Sequence, residues 1–160
     1  RGFRGYIGAA KSEEVLWNGD NAACHIYAMN GLDAKTWVID ESRPVFEAAA
    51  SYDKMGFTSA SIVELDDVQY MFYIGFTDWE SGDGYKSARN MSLNLATSTD
   101  NGETWTRDEN NPLPISNSGI VGNVAAQVIG ERIHLWVTDD YDGSQAIGYF
   151  LFEPNIGMHE

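Results

Sequence analysis

Two short stretches hold the residues best suited to chemistry: "FTDWESGDG", residues 76–84, and "VTDDYDG", residues 137–143. The first sets Asp78 and Glu80 around Trp79, and the second places Asp139, Asp140 and Asp142 just after Trp136. Carboxylates accept hydrogen bonds from hydroxyl groups, and a pair held at a fixed separation can act as acid and base. An indole ring beside them stacks on the apolar face of a ring such as a sugar. The same letters also suit solvated loops, and both readings stay open at this point. With Asp53, which like them falls at a strand end, Asp78 and Asp140 form the candidate catalytic set. Clustered Asp with Gly also suits calcium, but the order departs from the D-x-[DN]-x-[DN]-G of an EF-hand loop. Calcium is therefore a secondary expectation, and no other cofactor is expected. His25, His134 and His159 are isolated, with no H-x-x-x-H spacing for zinc, and His134 alternates with Ile133 and Leu135 as a strand residue on a polar face. Cys24 is the only cysteine, so neither an intrachain disulfide nor a cysteine metal site can form.

Bulk properties narrow the partners. The chain of 160 residues carries 24 acidic against 10 basic side chains, a formal charge of -14. Such a surface repels phosphate backbones and anionic membranes, so neither nucleic acid nor membrane is an expected partner. No run of about 18 apolar residues appears. The sequence has no P-loop, no G-x-G-x-x-G after a strand and no G-x-S-x-G elbow, which removes nucleotide and serine-hydrolase chemistry. The length suits one domain with a real core.

The elements that must position these residues are short strands. Aromatic residues make up 12% of the chain and 16 residues are Gly, a composition that favours strands joined by tight turns over long helices. Only "PVFEAAASYD" (44–53) hints at a helical turn. The chain also repeats itself: "IYAMNGLDAKTWVIDESRPVF" (26–46) lies over "NLATSTDNGETWTRDENNPLP" (94–114), and "SIVELDDVQYMFYIGFTD" (61–78) resembles "VAAQVIGERIHLWVTDDY" (124–141). Thr36-Trp37 falls on Thr104-Trp105, and each Trp is followed seven residues later by a Pro. Interleaved, the pairs read as four-stranded antiparallel blades. The spacing predicts an all-β chain of β-propeller type with about two and a half to three blades, in units of about 1–46, 47–114 and 115–160. The last unit reads as truncated, because "FEPN" stands where its closing turn is expected.

Within "LATSTDNGETW" (95–105), Ser98, Asp100, Gly102, Thr104 and Trp105 match S-x-D-x-G-x-T-W, and the stretch resembles the Asp-box of sialidases and many other propellers. The resemblance implies a structural role at the blade periphery: a turn held by Asp100, a positive φ at Gly102, and Trp105 packed between blades. A second resemblance covers about 60 residues. Asp53, Gly56, Ser59 and Ser61, then Tyr73 and Gly75, then Ala96, Ser98 and Asp100, then Asn111-Pro112, follow the order of the five-bladed glycosidases of the invertase, fructanase and arabinanase type. In those enzymes the two-serine segment lines the sugar pocket, which implies that Thr58, Ser59 and Ser61 contact sugar here. Trp79 and Trp136 are added as stacking candidates. Ala60 replaces a Gly of that pattern, and Thr58 stands where an aromatic is usual. The family's Arg-Asp-Pro and Glu-Cys are not legible; "SGIVGNVAAQV" (118–128) occupies the place of the former, and "WNGDN" (17–21) has an early Asp with different flanks.

The sequence thus points to a carbohydrate-binding chain resembling half of a glycosidase propeller, in which hydrolysis is uncertain. A scaffold that binds other proteins is the alternative. Two open lateral faces are expected to drive self-association, with a dimer of three blades each closing a six-bladed ring.

Overall fold

In a computed structural model the chain is built of strands, and the structure describes residues 3–9, 25–31, 33, 35–82, 85–115, 121–141, 144–154 and 157–159. For 3, 9, 80–82, 85–87, 121, 139–141, 144–145 and 157–159 it describes the backbone alone. Cys24, the "WNGDN" stretch and Asp142 lie outside the described residues, as do the side chains of Glu80, Asp139, Asp140 and His159.

Eleven strands are seen among the described residues: β1 (Phe3–Ala9), β2 (His25–Gly31), β3 (Trp37–Ile39), β4 (Gly56–Leu65), β5 (Val68–Gly82), β6 (Tyr85–Ser98), β7 (Thr106–Arg107), β8 (Val121–Ile129), β9 (Arg132–Tyr141), β10 (Ser144–Glu153) and β11 (Gly157–His159). They form three antiparallel sheets, ordered β1-β2-β3, β4-β5-β6-β7 and β11-β10-β9-β8. The described residues contain no helix; "PVFEAAASYD" instead forms an isolated bridge at Phe46 and a turn. The third sheet has its fourth strand, since β11 pairs with β10 through Leu151↔His159. The truncation expected from "FEPN" is therefore not seen.

The middle sheet owes its place to β5. Its run Tyr70-Met71-Phe72-Tyr73-Ile74 is buried throughout, which an alternating strand achieves only when both sheet faces are covered. Tyr70, Phe72 and Ile74 pack with Leu93, Leu95, Ile133, Leu135 and Val137 against the third sheet. Met71 and Tyr73 pack with Ile26, Phe46 and Phe57 on the other face, toward the first sheet. The aromatic rings interlock there, with Phe57 edge-on to Tyr73 at 5.2 Å and Phe46 stacked on Phe57 at 5.2 Å. Two tight turns set the register. Asp66 and Asp67 both hold positive φ (54° and 62°) between Leu65 and Val68, as a type I′ hairpin requires. Gly130 (φ 65°) opens the matching two-residue turn between Ile129 and Arg132.

Those turns fix how the repeat runs in space. Leu65↔Val68 corresponds to Ile129↔Arg132, an offset of 64 residues, whereas the sequence match of 61–78 with 124–141 uses 63. One residue decides the facing of every side chain in a strand. With the hairpins aligned, Phe72 matches Trp136 and Met71 matches Leu135, so each sheet presents the same face in the same sense. The first sheet follows suit: Val45 N–H donates to the Ile26 carbonyl as Leu113 N–H does to Leu93, each one residue past its Pro.

Candidate functional site

A cavity of about 350 Å³ opens between the first and middle sheets. It is walled by Tyr6 and Gly8 of β1, Ile26 of β2, and Phe57 to Ala60 with Ile62 of β4. Strand alternation explains the wall. Thr58 and Ala60 are exposed and Ile62 half-buried on the face of β4 turned to β1, while Ser59 and Ser61 point the other way. A bulge between Phe57 and Ser59 opens the strand at its start. The lining sets Ile26, Phe57, Ala60 and Ile62 beside Thr58, Ser59 and Tyr6, with the Ser59 hydroxyl turned away toward β8. Burial pushes the Tyr6 phenol up from its ordinary value, outweighing the nearby Arg4 guanidinium, so the ring is neutral at neutral pH. Its hydroxyl lies 3.5 Å from Gln69 Oε1.

The sequence-derived candidates are dispersed. Thr58 and Ser59 line the cavity, but the serines also serve a second partner. Ser59 Oγ accepts from the Val124 N–H at 3.3 Å and Ser61 Oγ from the Ala126 N–H at 2.9 Å, both on β8. Thr58 Oγ1 lies 3.5 Å from the Gly122 carbonyl. Asp53 is fully buried. Its Oδ1 accepts the N–H groups of Ala49 (3.0 Å) and Ala50 (2.7 Å). Its Oδ2 accepts Tyr73 Oη–H (3.1 Å) and both Nε (2.9 Å) and Nη2 (2.8 Å) of Arg107. Five donors leave that carboxylate no lone pair directed at solvent. Arg107 in turn lies over the Phe46 ring at 4.2 Å. Burial, then the Asp53 charge, pushes the Tyr73 phenol far above its usual range.

Asp78 is exposed and accepts the N–H of Trp79 at 2.8 Å. Trp79 stands edge-on to Phe76 at 4.6 Å. Both belong to the part of β5 that overruns the start of β4, at the same end of the sheet as Phe57. Trp136 lies on the far face of the third sheet beside Tyr149, whose hydroxyl meets His134 Nδ1 at 2.6 Å. The described residues include no group of three or more His, Cys, Asp or Glu fit to hold a metal.

The Asp-box residues make a tight knot. Ser98 Oγ donates to Asp100 Oδ1 (2.7 Å) and accepts from Gly102 N–H (2.9 Å), while Asp100 accepts from Thr104 N–H (2.9 Å) and Thr104 Oγ1–H. The Thr104 hydroxyl and N–H, with Ser98, hold the Asp100 carboxyl down at about 2. The knot faces the first sheet: Tyr6 meets Trp105 edge-on at 5.9 Å, and Arg4 bonds Glu103 and the Gly102 carbonyl at 3.2 Å. Sequence reasoning missed Tyr6, Gly8 and Ile26 as cavity walls. The "RGYIG" letters carry a period-two pattern but nothing that names a ligand.

Solved structures of similar fold give this arrangement its context. Fructan 1-exohydrolase IIa from Cichorium intybus matches 99% of this chain with a TM-score of 0.71 at 14% identity. The fold is that of part of a β-propeller. Sucrose-6-phosphate hydrolase from Lactobacillus gasseri matches with a TM-score of 0.70 at 12% identity over 99% of the chain, and a family 117 glycoside hydrolase from Zobellia galactanivorans with 0.69 at 16% over 99%. The chain spans 29%, 31% and 51% of the lengths of these three proteins. No family model and no curated protein matches the sequence. In propeller terms, β4 and β8 are inner strands, β7 and β11 outer ones, and the cavity lies between two neighbouring blades beside inner strand β4. No described helix is long and apolar enough to cross a membrane.

Proposed function

We propose that this chain is part of a carbohydrate-active propeller and holds sugar in the cavity between β1 and β4. The observation that carries this reading is the cavity wall itself, where Thr58 and the neutral Tyr6 phenol meet Ile26, Phe57 and Ala60. Sugars offer hydroxyl edges and apolar ring faces, and a small site of mixed character suits both. Thr58 is the side-chain sugar contact in this reading, and Ser59 borders the cavity while its hydroxyl bonds β8. Ser61 and Asp53 serve the scaffold, and Trp136 belongs to a lateral face. Asp78 and Trp79, at the same end of the sheet, are the groups available to an extended ligand. Glycoside hydrolysis needs two carboxyl groups about 5–5.5 Å or 6.5–9.5 Å apart. Asp53 is saturated by five donors from four residues, so Asp78 would need a partner such as Asp140 or an acid beyond this chain, which supports binding ahead of hydrolysis.

The test is titration calorimetry with 1-kestose and sucrose, the sugars bound in two of the similar structures. Binding by wild type and about tenfold weakening in Thr58→Val, which keeps the shape and removes the hydroxyl, is the expected result. Silence with both sugars and with a wider oligosaccharide panel sinks the reading. A second reading, a propeller scaffold that binds no sugar, is favoured by the use of the Ser59 and Ser61 hydroxyls on the β8 backbone.

A further inference from the structure

The Asp-box turn of the middle sheet reaches the cavity through Tyr6. Arg4, Tyr6 and Gly8 alternate onto one face of β1; the first two lie against the turn, and the last two line the cavity. Arg4 bonds Glu103 and the Gly102 carbonyl. The Tyr6 ring stands edge-on to Trp105, and its hydroxyl lies 3.5 Å from Gln69 Oε1, while the Gln69 amide donates to Asn101 Oδ1 at 3.5 Å. The fit is tight at Gly102, which is buried: a Cβ there would lie 1.8 Å from Tyr6 Oη and 2.8 Å from Tyr6 Cζ. At the other end of the same face, a Cβ on Gly8 would meet nothing within 4 Å. Gly8 and its cross-strand partner Ile26 open onto the cavity, so β1 is propped at Tyr6 and free of close packing at Gly8.

We infer that the Asp-box turn positions the binding cavity: Gly102 and Trp105 seat Tyr6, and through Tyr6 they hold the β1 wall at the distance from Thr58 that a sugar fits. The consequence for sugar rests on the reading of the cavity proposed above, whereas the seat rests on the packing of Tyr6 alone. Side chains that line a site bind well only when packing and a further layer of hydrogen bonds lock them in place. Ser98, Asp100 and Thr104 supply that layer here, because their bonds close the turn on itself beneath Tyr6. The turn thus does more than end a hairpin at the outer part of its blade. Ser98, Asp100, Gly102 and Trp105 act as positioning residues for a site they do not line.

The test compares Gly102→Ala with Gly130→Ala, by NMR amide shifts of the ligand-free proteins and by titration with 1-kestose and sucrose. Both glycines hold positive φ, 77° and 65°, so both variants carry backbone strain, but a Cβ at Gly130 meets nothing within 4 Å. Gly102→Ala displaces Tyr6, so it shifts the amides of Gly8, Ile26 and residues 57–62 before any sugar is added. It also weakens sugar binding about tenfold, the scale of one lost hydrogen bond. Gly130→Ala melts earlier than wild type and leaves both readouts unchanged. Shift changes confined to the turn and Tyr6 overturn the inference, as does equal weakening of binding by Gly130→Ala, since strain alone would then suffice. Wild type that binds neither sugar sinks the sugar reading instead, and the ligand-free shifts still decide the seat. Should Gly102→Ala fail to fold, Thr104→Val, which removes one hydroxyl bond from the knot at an exposed position, replaces it with the same outcomes required.

Discussion

Ser61 Oγ on β4 accepts the backbone N–H of Ala126 on β8 at 2.9 Å, and this bond joins the inner strands of two neighbouring sheets. Ser59 repeats the contact two residues earlier with Val124. The motif that resembles a sugar-contacting segment therefore also stitches blade to blade. Ala125 holds the position of Ser61 in the next sheet, since it pairs with Trp136 as Ser61 does with Phe72. Ser61→Ala leaves the Ala126 N–H without its acceptor. The expected cost is about 1–2 kcal/mol in urea denaturation, with sugar affinity unchanged.

Arg107 secures Asp53 through two of its nitrogens. Arg107→Met leaves a buried carboxylate short of its cationic partner and is expected to cost about 3 kcal/mol. Arg107→Lys recovers only part of this, because an ammonium cannot reproduce the fork. Chemical denaturation of the two variants, with Asp53→Asn in a double-mutant cycle, measures the coupling. No coupling between positions 53 and 107 would refute the clamp.

Gly102 serves two demands at once. Its φ of +77° suits glycine, and a methyl group on its Cα would lie 1.8 Å from Tyr6 Oη. Gly102→Ala is expected to cost about 2 kcal/mol or more by the combined strain. Adding Tyr6→Ala relieves the clash but not the backbone strain, so the double variant melts above the level expected from adding the single effects. Strict additivity would contradict the contact.

Asp100 gives a pH signature. Its carboxyl sits near 2 when folded against an ordinary 3.8, so folding favours the ionised form. The sign follows: the contribution is complete above about pH 4 and fades as pH falls toward 2. Asp100→Asn should therefore lower the melting temperature at pH 7, and its gap to wild type should close between pH 4 and 2. A gap independent of pH would remove the carboxylate from the account.

Much of the fold was legible because turns and alternation are local. The Asn101-Gly102 turn, the buried β5 run and the paired Trp-Pro spacing read directly as antiparallel blades. Facing was not legible, since the best letter match between 61–78 and 124–141 is one residue away from the register that the hairpin turns impose. That single step hid the likeness of Trp136 to Phe72, and with it the lateral position of Trp136. The site was legible in part. Thr58 and Ser59 came from the motif, but Tyr6 and Gly8 meet them only through the packing of two sheets. The saturation of Asp53 depends on Arg107, 54 residues further on, which no spacing rule connects to it.

The central claim is that sugar occupies the cavity beside β4, and mapping amide shifts by NMR during titration with 1-kestose and sucrose tests it most directly. The account predicts changes concentrated at Tyr6, Gly8, Ile26 and residues 57–62. Absence of any change, or changes confined to Trp79 or to the Trp136–Tyr149 face, would contradict it.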